Sequence, residues 1–265
     1  MALSGISLLS RSGTPHDALV LSALKSIVGK IKVTGITHFV ATTPLASKGD
    51  RVFFSYVAQS SSLEFYPDLF SADVKQARQK TYADASHSQF VQGYVLPLIV
   101  HSLIHEIGHA RLEGRLTPEL LKKAGWSWRS EKLSSLYLKS SRLKRKALTE
   151  DRHELRFKGK TFEQWIQEKR AYETALKKGE ANAWKTGTQS QAKEYQFSLL
   201  KKIGVSSYYS LSSPEEWAAE TFAACEFKKF FPKSDTLDES TRYELLIGFR
   251  PDGAFSPLCA LSQTN

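Results

Sequence analysis

"IVHSLIHEIGHARLEG" (residues 99–114) decides how the rest of the chain is read. Apolar residues dominate it, yet it carries His101, His105 and His109, with Glu106 set among them. Within it, HEIGH (105–109) places two histidines four residues apart with a glutamate directly after the first. Residues i and i+4 share one face of a helix, so the imidazoles of His105 and His109 can bind one ion. Glu106 is displaced by one position, where it can serve as general base toward a metal-activated water. An apolar helix holds such polar side chains at a cost unless they find partners. A zinc ion supplies that partner for His105 and His109. His101, one turn earlier, reads as a satisfied core histidine.

Two histidines do not complete a catalytic site; a third protein ligand is required, with one position left open. A histidine six residues after His109 would mark a metzincin, but Arg115 stands there, which excludes that class. Glu113 and Glu119 do not lie in the ExxxD frame of a thermolysin-like site. The better source is "YYSLSSPEEWAAETFAA" (208–224), in which Glu216 and Glu220 are four apart on one helical face. Their helical neighbours Trp217, Ala218, Ala219, Phe222, Ala223 and Ala224 predict burial on most sides. Two carboxylates there need strong partners, which a zinc ion and the free N–H of a ligand histidine would provide. Glu216 has a second reading, because Ser213-Pro214-Glu215-Glu216 also spells a helix-capping box. That reading leaves Glu220 unexplained. His153 or Glu154, in "TEDRHE" (149–154), is the alternative third ligand.

Taken together, "HEIGHA" and the Y-x6-E-x3-E pattern of "YSLSSPEEWAAE" resemble the anthrax lethal factor group of gluzincin metalloproteases, which includes the Pro-Pro endopeptidases. The resemblance covers about forty residues in two blocks, and the second block is the more discriminating. It implies a zincin-like fold with His105, His109 and Glu216 as zinc ligands and Glu106 as general base. It also implies Tyr209 as donor to the oxyanion of the tetrahedral intermediate, and Glu220 as a partner behind the ligands. A phenol O–H suits an oxyanion on chemical grounds as well; the competing reading of Tyr209 is a core aromatic. The gap between His109 and Glu216 is longer than in the compact members.

The chain has 265 residues, 41% hydrophobic and 24% charged, an ordinary globular composition. A single zincin-like domain over 1–265 is expected, with 1–13 as a flexible leader and 115–190 as a basic helical insertion. No apolar run reaches the roughly 18 residues of a membrane span, and the N-terminus lacks the form of a secretory signal. Two cysteines, Cys225 and Cys259, make no disulfide framework, which points to a reducing compartment. The chain is therefore expected to be soluble, either cytoplasmic or delivered to another cell by a non-Sec route, as a bacterial effector or toxin would be. Net charge is +10, and between Arg115 and Arg170 there are 16 Lys and Arg against 7 Asp and Glu. Such a surface favours a protein substrate with an acidic face; no nucleic-acid-reading motif accompanies it.

Element signals complete an α+β expectation. Thr14-Pro15 signals a helix start, followed by helical spacing through Ile31. "GITHFVATT" and "DRVFFSYVAQ" read as a hairpin across "PLASKG", and "SLEFYPDLF" as a further strand or an edge, with Pro67 arguing against a central position. A polar helix is expected near 71–86, the active-site helix at about 97–113, and a helix from Thr117-Pro118 to Gly125. Basic helices are expected within 126–160, a capped helix at "TFEQ" (161–164), and a final strong helix over "SPEEWAAETFAACEFKKFF". The sequence thus favours a zinc endopeptidase. The contrasting class is a non-catalytic zincin scaffold that binds acidic protein or nucleic acid through its basic insertion.

Overall fold

The computed structural model describes residues 2–3, 5–9, 13, 17–42, 53–70, 87–112, 114–128, 155–171, 200, 203–205, 207–227 and 229–231, with side chains of the long helix described from residue 96. The fold is mixed helix and strand, as the α+β reading requires. The chain divides into two compact units, Met1–Glu113 with Phe222–Gly248 and Leu261–Asn265, and Gly114–Thr221 with Phe249–Ala260.

The first unit is built on a five-stranded sheet in the order β1-β2-β3-β5-β4. Its strands are β1 (Ala2–Leu3), β2 (Ile6–Leu8), β3 (His38–Ala41), β4 (Phe54–Val57) and β5 (Ser62–Phe65). Residues 1–13, expected as a flexible leader, instead supply β1 and β2. Ile6, with 2% exposure, shows why: this segment carries a core residue, so ordering it removes apolar surface from water. The expected β3–β4 hairpin is also corrected. β3 pairs parallel with β5, and the hairpin is β4–β5, which turns through Ala58–Ser60 and Ser61 at φ 47°. β5 is therefore internal rather than an edge. Pro67 lies beyond its last residue, where a missing N–H breaks no ladder.

Helix α1 (Asp17–Lys30) connects β2 to β3 and buries Val20, Ala23, Leu24 and Ile27. The expected start at Thr14-Pro15 lies outside the described residues, as does the polar helix near 71–86. Helix α2 (His87–Leu112) contains the opening motif, begins well before the expected residue 97, and packs against α1 and β4. Its residues Ile99, Leu103, Ile104 and Ile107 are fully buried, as are Leu24, Ile27 and Leu63. Phe54 stacks on Phe65 with ring centroids 5.1 Å apart, and Phe70 meets Phe65 edge-on at 5.8 Å. The α1–β3 connection is drawn onto α2 at two points. Arg111 donates to the Lys32 carbonyl at 2.8 Å, and Gly35, at φ 78°, leaves only 3.3 Å between an added Cβ and the Ala110 carbonyl oxygen. Gly35→Ala is expected to cost about 1–2 kcal/mol from the left-handed backbone alone, read as a lower urea midpoint.

In the second unit, Thr117 caps helix α3 (Pro118–Ala124) through Leu120 N–H, and Gly125 ends it at φ 101°, both as the sequence predicts. Where basic helices are expected, Trp126–Trp128 and Leu155–Phe157 form an antiparallel pair, β6 and β7. The aromatic and branched residues of these runs suit a half-buried pleat better than a helix face. Residues 129–154 lie outside the described part. The "TFEQ" box closes in both directions: Thr161 N–H donates to Gln164 Oε1 at 2.9 Å, and Gln164 N–H to Thr161 Oγ1 at 3.3 Å. Helix α4 (Pro214–Phe227) spans the division between the units, residues 222–227 belonging with the first. Cys225 is buried on α4. No helix among the described residues is long and apolar enough to cross a membrane.

Candidate metal centre

The spacing of HEIGH does on α2 what helical geometry dictates. His105 and His109 are both buried, and their Nε2 atoms lie 3.1 Å apart. Two nitrogens each about 2.0–2.1 Å from a tetrahedral zinc stand about 3.3 Å apart, so the pair fits a shared ion with little adjustment. His101 is buried at 2% exposure and turns its ring edge-on to Phe227, with centroids 6.0 Å apart. That is a packing role, in keeping with a core histidine.

Glu216 reaches the pair from α4. Ser213 Oγ accepts the Glu216 backbone N–H at 3.2 Å, so the capping interaction exists. It is made by the Glu216 backbone N–H and not by the carboxylate. One ligand atom from each of His105, His109 and Glu216 lies within 4.8 Å of the others. Glu216 stands in the first turn of α4. The C-terminal turn of that helix is packed on α2 through His101 against Phe227, and the Arg111 guanidinium lies 6.0 Å from the Phe222 ring centroid. Trp217, Ala219, Phe222, Ala223 and Ala224 are fully buried around it. The alternative ligands His153 and Glu154 lie outside the described residues.

Glu106 is next to the pair and held by the sheet. Its Oε1 is 4.0 Å from His105 Nε2, and its Oε2 accepts the backbone N–H of Tyr56 on β4 at 2.7 Å. Glu220 is buried at 3% exposure, and Ser207 Oγ donates to its Oε2 at 2.9 Å. Ser207 is organised in turn by the Ser210 backbone N–H at 3.2 Å. Tyr209 stands on the single turn Tyr209–Leu211 that leads into α4 and is 54% exposed. The competing reading of Tyr209 as a core aromatic therefore fails.

Three participants escape sequence reasoning. Tyr56 acts through its backbone N–H, which no side-chain pattern announces. Glu64 on β5 and Tyr66 just beyond it form the second group, with Tyr66 Oη donating to Glu64 Oε2 at 2.5 Å. Burial first, then the bond to Glu64 and the charges of Glu64 and Glu106, push the Tyr66 phenol far above its ordinary value of 10.0. Alternation along a strand puts 64 and 66 on one face, but their nearness to Glu106 depends on how α2 meets the sheet. Because the folded value is raised, the stability from this group is complete below pH 10 and is lost as pH climbs through the elevated value. Tyr66→Phe is expected to remove that part of the alkaline fall in stability, measured as melting temperature against pH from 9 upward.

The described residues thus hold a histidine pair, a converging carboxylate and an adjacent anchored carboxylate. That donor set can hold a divalent ion and move a proton beside it. No family model, no curated protein and no solved structure matches the chain.

Proposed function

We propose that the chain is a zinc-dependent endopeptidase, with His105, His109 and Glu216 as ligands and Glu106 as general base. The observation that carries this reading is the convergence of those three ligand atoms within 4.8 Å beside a carboxylate that is itself fixed. Two imidazoles and one carboxylate form a set suited to catalytic zinc, which leaves a coordination position open. Zinc bound there supplies Lewis acidity toward water and toward the amide carbonyl. Glu106 takes a proton from the attacking water as its oxygen bonds to the amide carbon. It then delivers that proton to the leaving nitrogen as the C–N bond breaks. Tyr209, exposed at the entry to α4, donates to the oxyanion. Glu220, buried and bonded to Ser207, steadies α4 behind the ligands.

The substrate is a protein segment in extended form. β4 is an edge of its sheet and packs on α2, so a peptide can add to it as a further strand. The basic stretch 115–170 favours target proteins with acidic regions by steering. Delivery into another cell, as an effector or toxin, accompanies the resemblance on which this reading draws.

The test combines zinc content, by elemental mass spectrometry, with cleavage of a mixed fluorogenic peptide library. One zinc per chain, and cleavage abolished by a chelator and restored by zinc, supports the proposal. A chain that excludes zinc, or one that binds nucleic acid with a steep salt dependence and cleaves nothing, overturns it.

A further inference from the structure

The Tyr56–Glu106 hydrogen bond follows from the sheet register. In an antiparallel pair, successive residues alternate between exchanging hydrogen bonds with the partner strand and pointing away from it. Tyr56 opposes Leu63, yet its N–H goes to Glu106 Oε2, so it belongs to the set that points away from β5. The Tyr66 N–H to Phe53 carbonyl bond, at 2.8 Å, confirms the phase, since Phe53 and Ser55 then belong to the opposite set. Phe54, two residues from Tyr56, shares its phase and turns its N–H and C=O the same way. An edge strand ordinarily leaves such N–H groups to water or to a docking strand. Here one of them is committed to a carboxylate. The bond is short, at 2.7 Å.

We propose that the backbone N–H of Tyr56 is a positioning group for Glu106. It fixes Oε2 against β4 and thereby aims Oε1 at the His105–His109 pair. This rests on the endopeptidase reading for its catalytic meaning, but the bond itself can be tested without it. The same register has a consequence for the substrate. A peptide added to β4 takes the N–H and C=O of Phe54 and the C=O of Tyr56, while the Tyr56 N–H stays with the base. Docking strand and general base are therefore referenced to one residue. A shift of the substrate by two residues along β4 would move the reacting bond away from Glu106 by a full strand repeat, roughly 6.8 Å.

Tyr56→Pro removes the N–H, and because that N–H takes no part in the β4–β5 ladder, the sheet pairing is preserved. Tyr56→Ala removes the same buried side chain but keeps the N–H, so it serves as the baseline. Both changes are made in the wild-type chain and in Glu106→Ala, and the four proteins are compared by urea midpoint. The midpoint drop from Ala to Pro at residue 56 is expected to be clearly larger when Glu106 is present. Equal drops in the two backgrounds overturn the proposal, whatever the chain's activity. Should proline prevent folding, replacing Tyr56 by its α-hydroxy analogue exchanges only the N–H for an ester oxygen and keeps the phenol. With cleavable library peptides, the ester is expected to lower kcat by about tenfold to a hundredfold, at unchanged zinc content and little-changed KM. An unchanged kcat overturns the positioning role. A wild-type chain that cleaves nothing while the midpoint difference persists separates failure of the endopeptidase reading from failure of this one.

Discussion

Glu106→Gln is expected to bind zinc as the wild-type chain does and to lose cleavage by about 10²–10⁴-fold, the range contributed by a positioned general base. The geometry makes this substitution informative. Glu106 lies beside the ligand pair rather than among its members, with Oε1 4.0 Å from His105 Nε2. The amide introduced by the substitution keeps one oxygen, which can still accept the Tyr56 N–H, so the anchor on β4 survives while the basic oxygen is lost. The measurement pairs kcat/KM on a cleavable peptide with zinc content and melting temperature. Cleavage that survives at wild-type rate would remove Glu106 from the mechanism. Loss of zinc along with activity would instead place Glu106 among the ligands.

Glu216→Ala carries the second large expectation, a fall in zinc affinity beyond the 10–100-fold typical of losing an outer partner of a ligand. The helix cap does not depend on the side chain. The residue's contribution to the helix start is made by the backbone N–H to Ser213 Oγ, which alanine retains. The rise in melting temperature on adding zinc should shrink with the affinity. Competition with a chromophoric chelator reads the affinity, and thermal scans with and without zinc read the linkage. His153→Ala is the necessary companion. If zinc leaves without His153 and stays without Glu216, the ligand assignment moves to the 149–154 stretch.

Much of the site was legible because short-range helical geometry carries it. HEIGH needs only a helix for its two imidazoles to face together, and α2 delivers this at 3.1 Å. Glu216 was harder, since the backbone N–H that caps α4 and the carboxylate proposed as a ligand belong to one residue. Glu220, whose burial no cap explains, was the signal that the helix serves a site. The Tyr56 anchor was not legible, because a backbone N–H has the same chemistry at every residue and only its direction matters.

The sheet divides along the same physical line. Local signals identified the strands at 38–41, 54–57 and 62–65 and the caps at Thr117, Gly125 and Thr161, because propensity, turn chemistry and capping act over a few residues. Pairing was decided elsewhere. Adjacent strands with a plausible connecting loop read as a hairpin, yet β5 inserted itself between β3 and β4, and residues 2–8 joined as β1 and β2. The apolar faces of Phe39, Leu63 and Phe65 are interchangeable in a pattern but not in a packed layer, where all three are buried. By itself the sequence determined that His105 and His109 face together with Glu106 beside them, through spacing on a single helix. Only the tertiary structure decided which strand edge steadies Glu106, because the Tyr56–Glu106 contact arises from packing between segments about fifty residues apart.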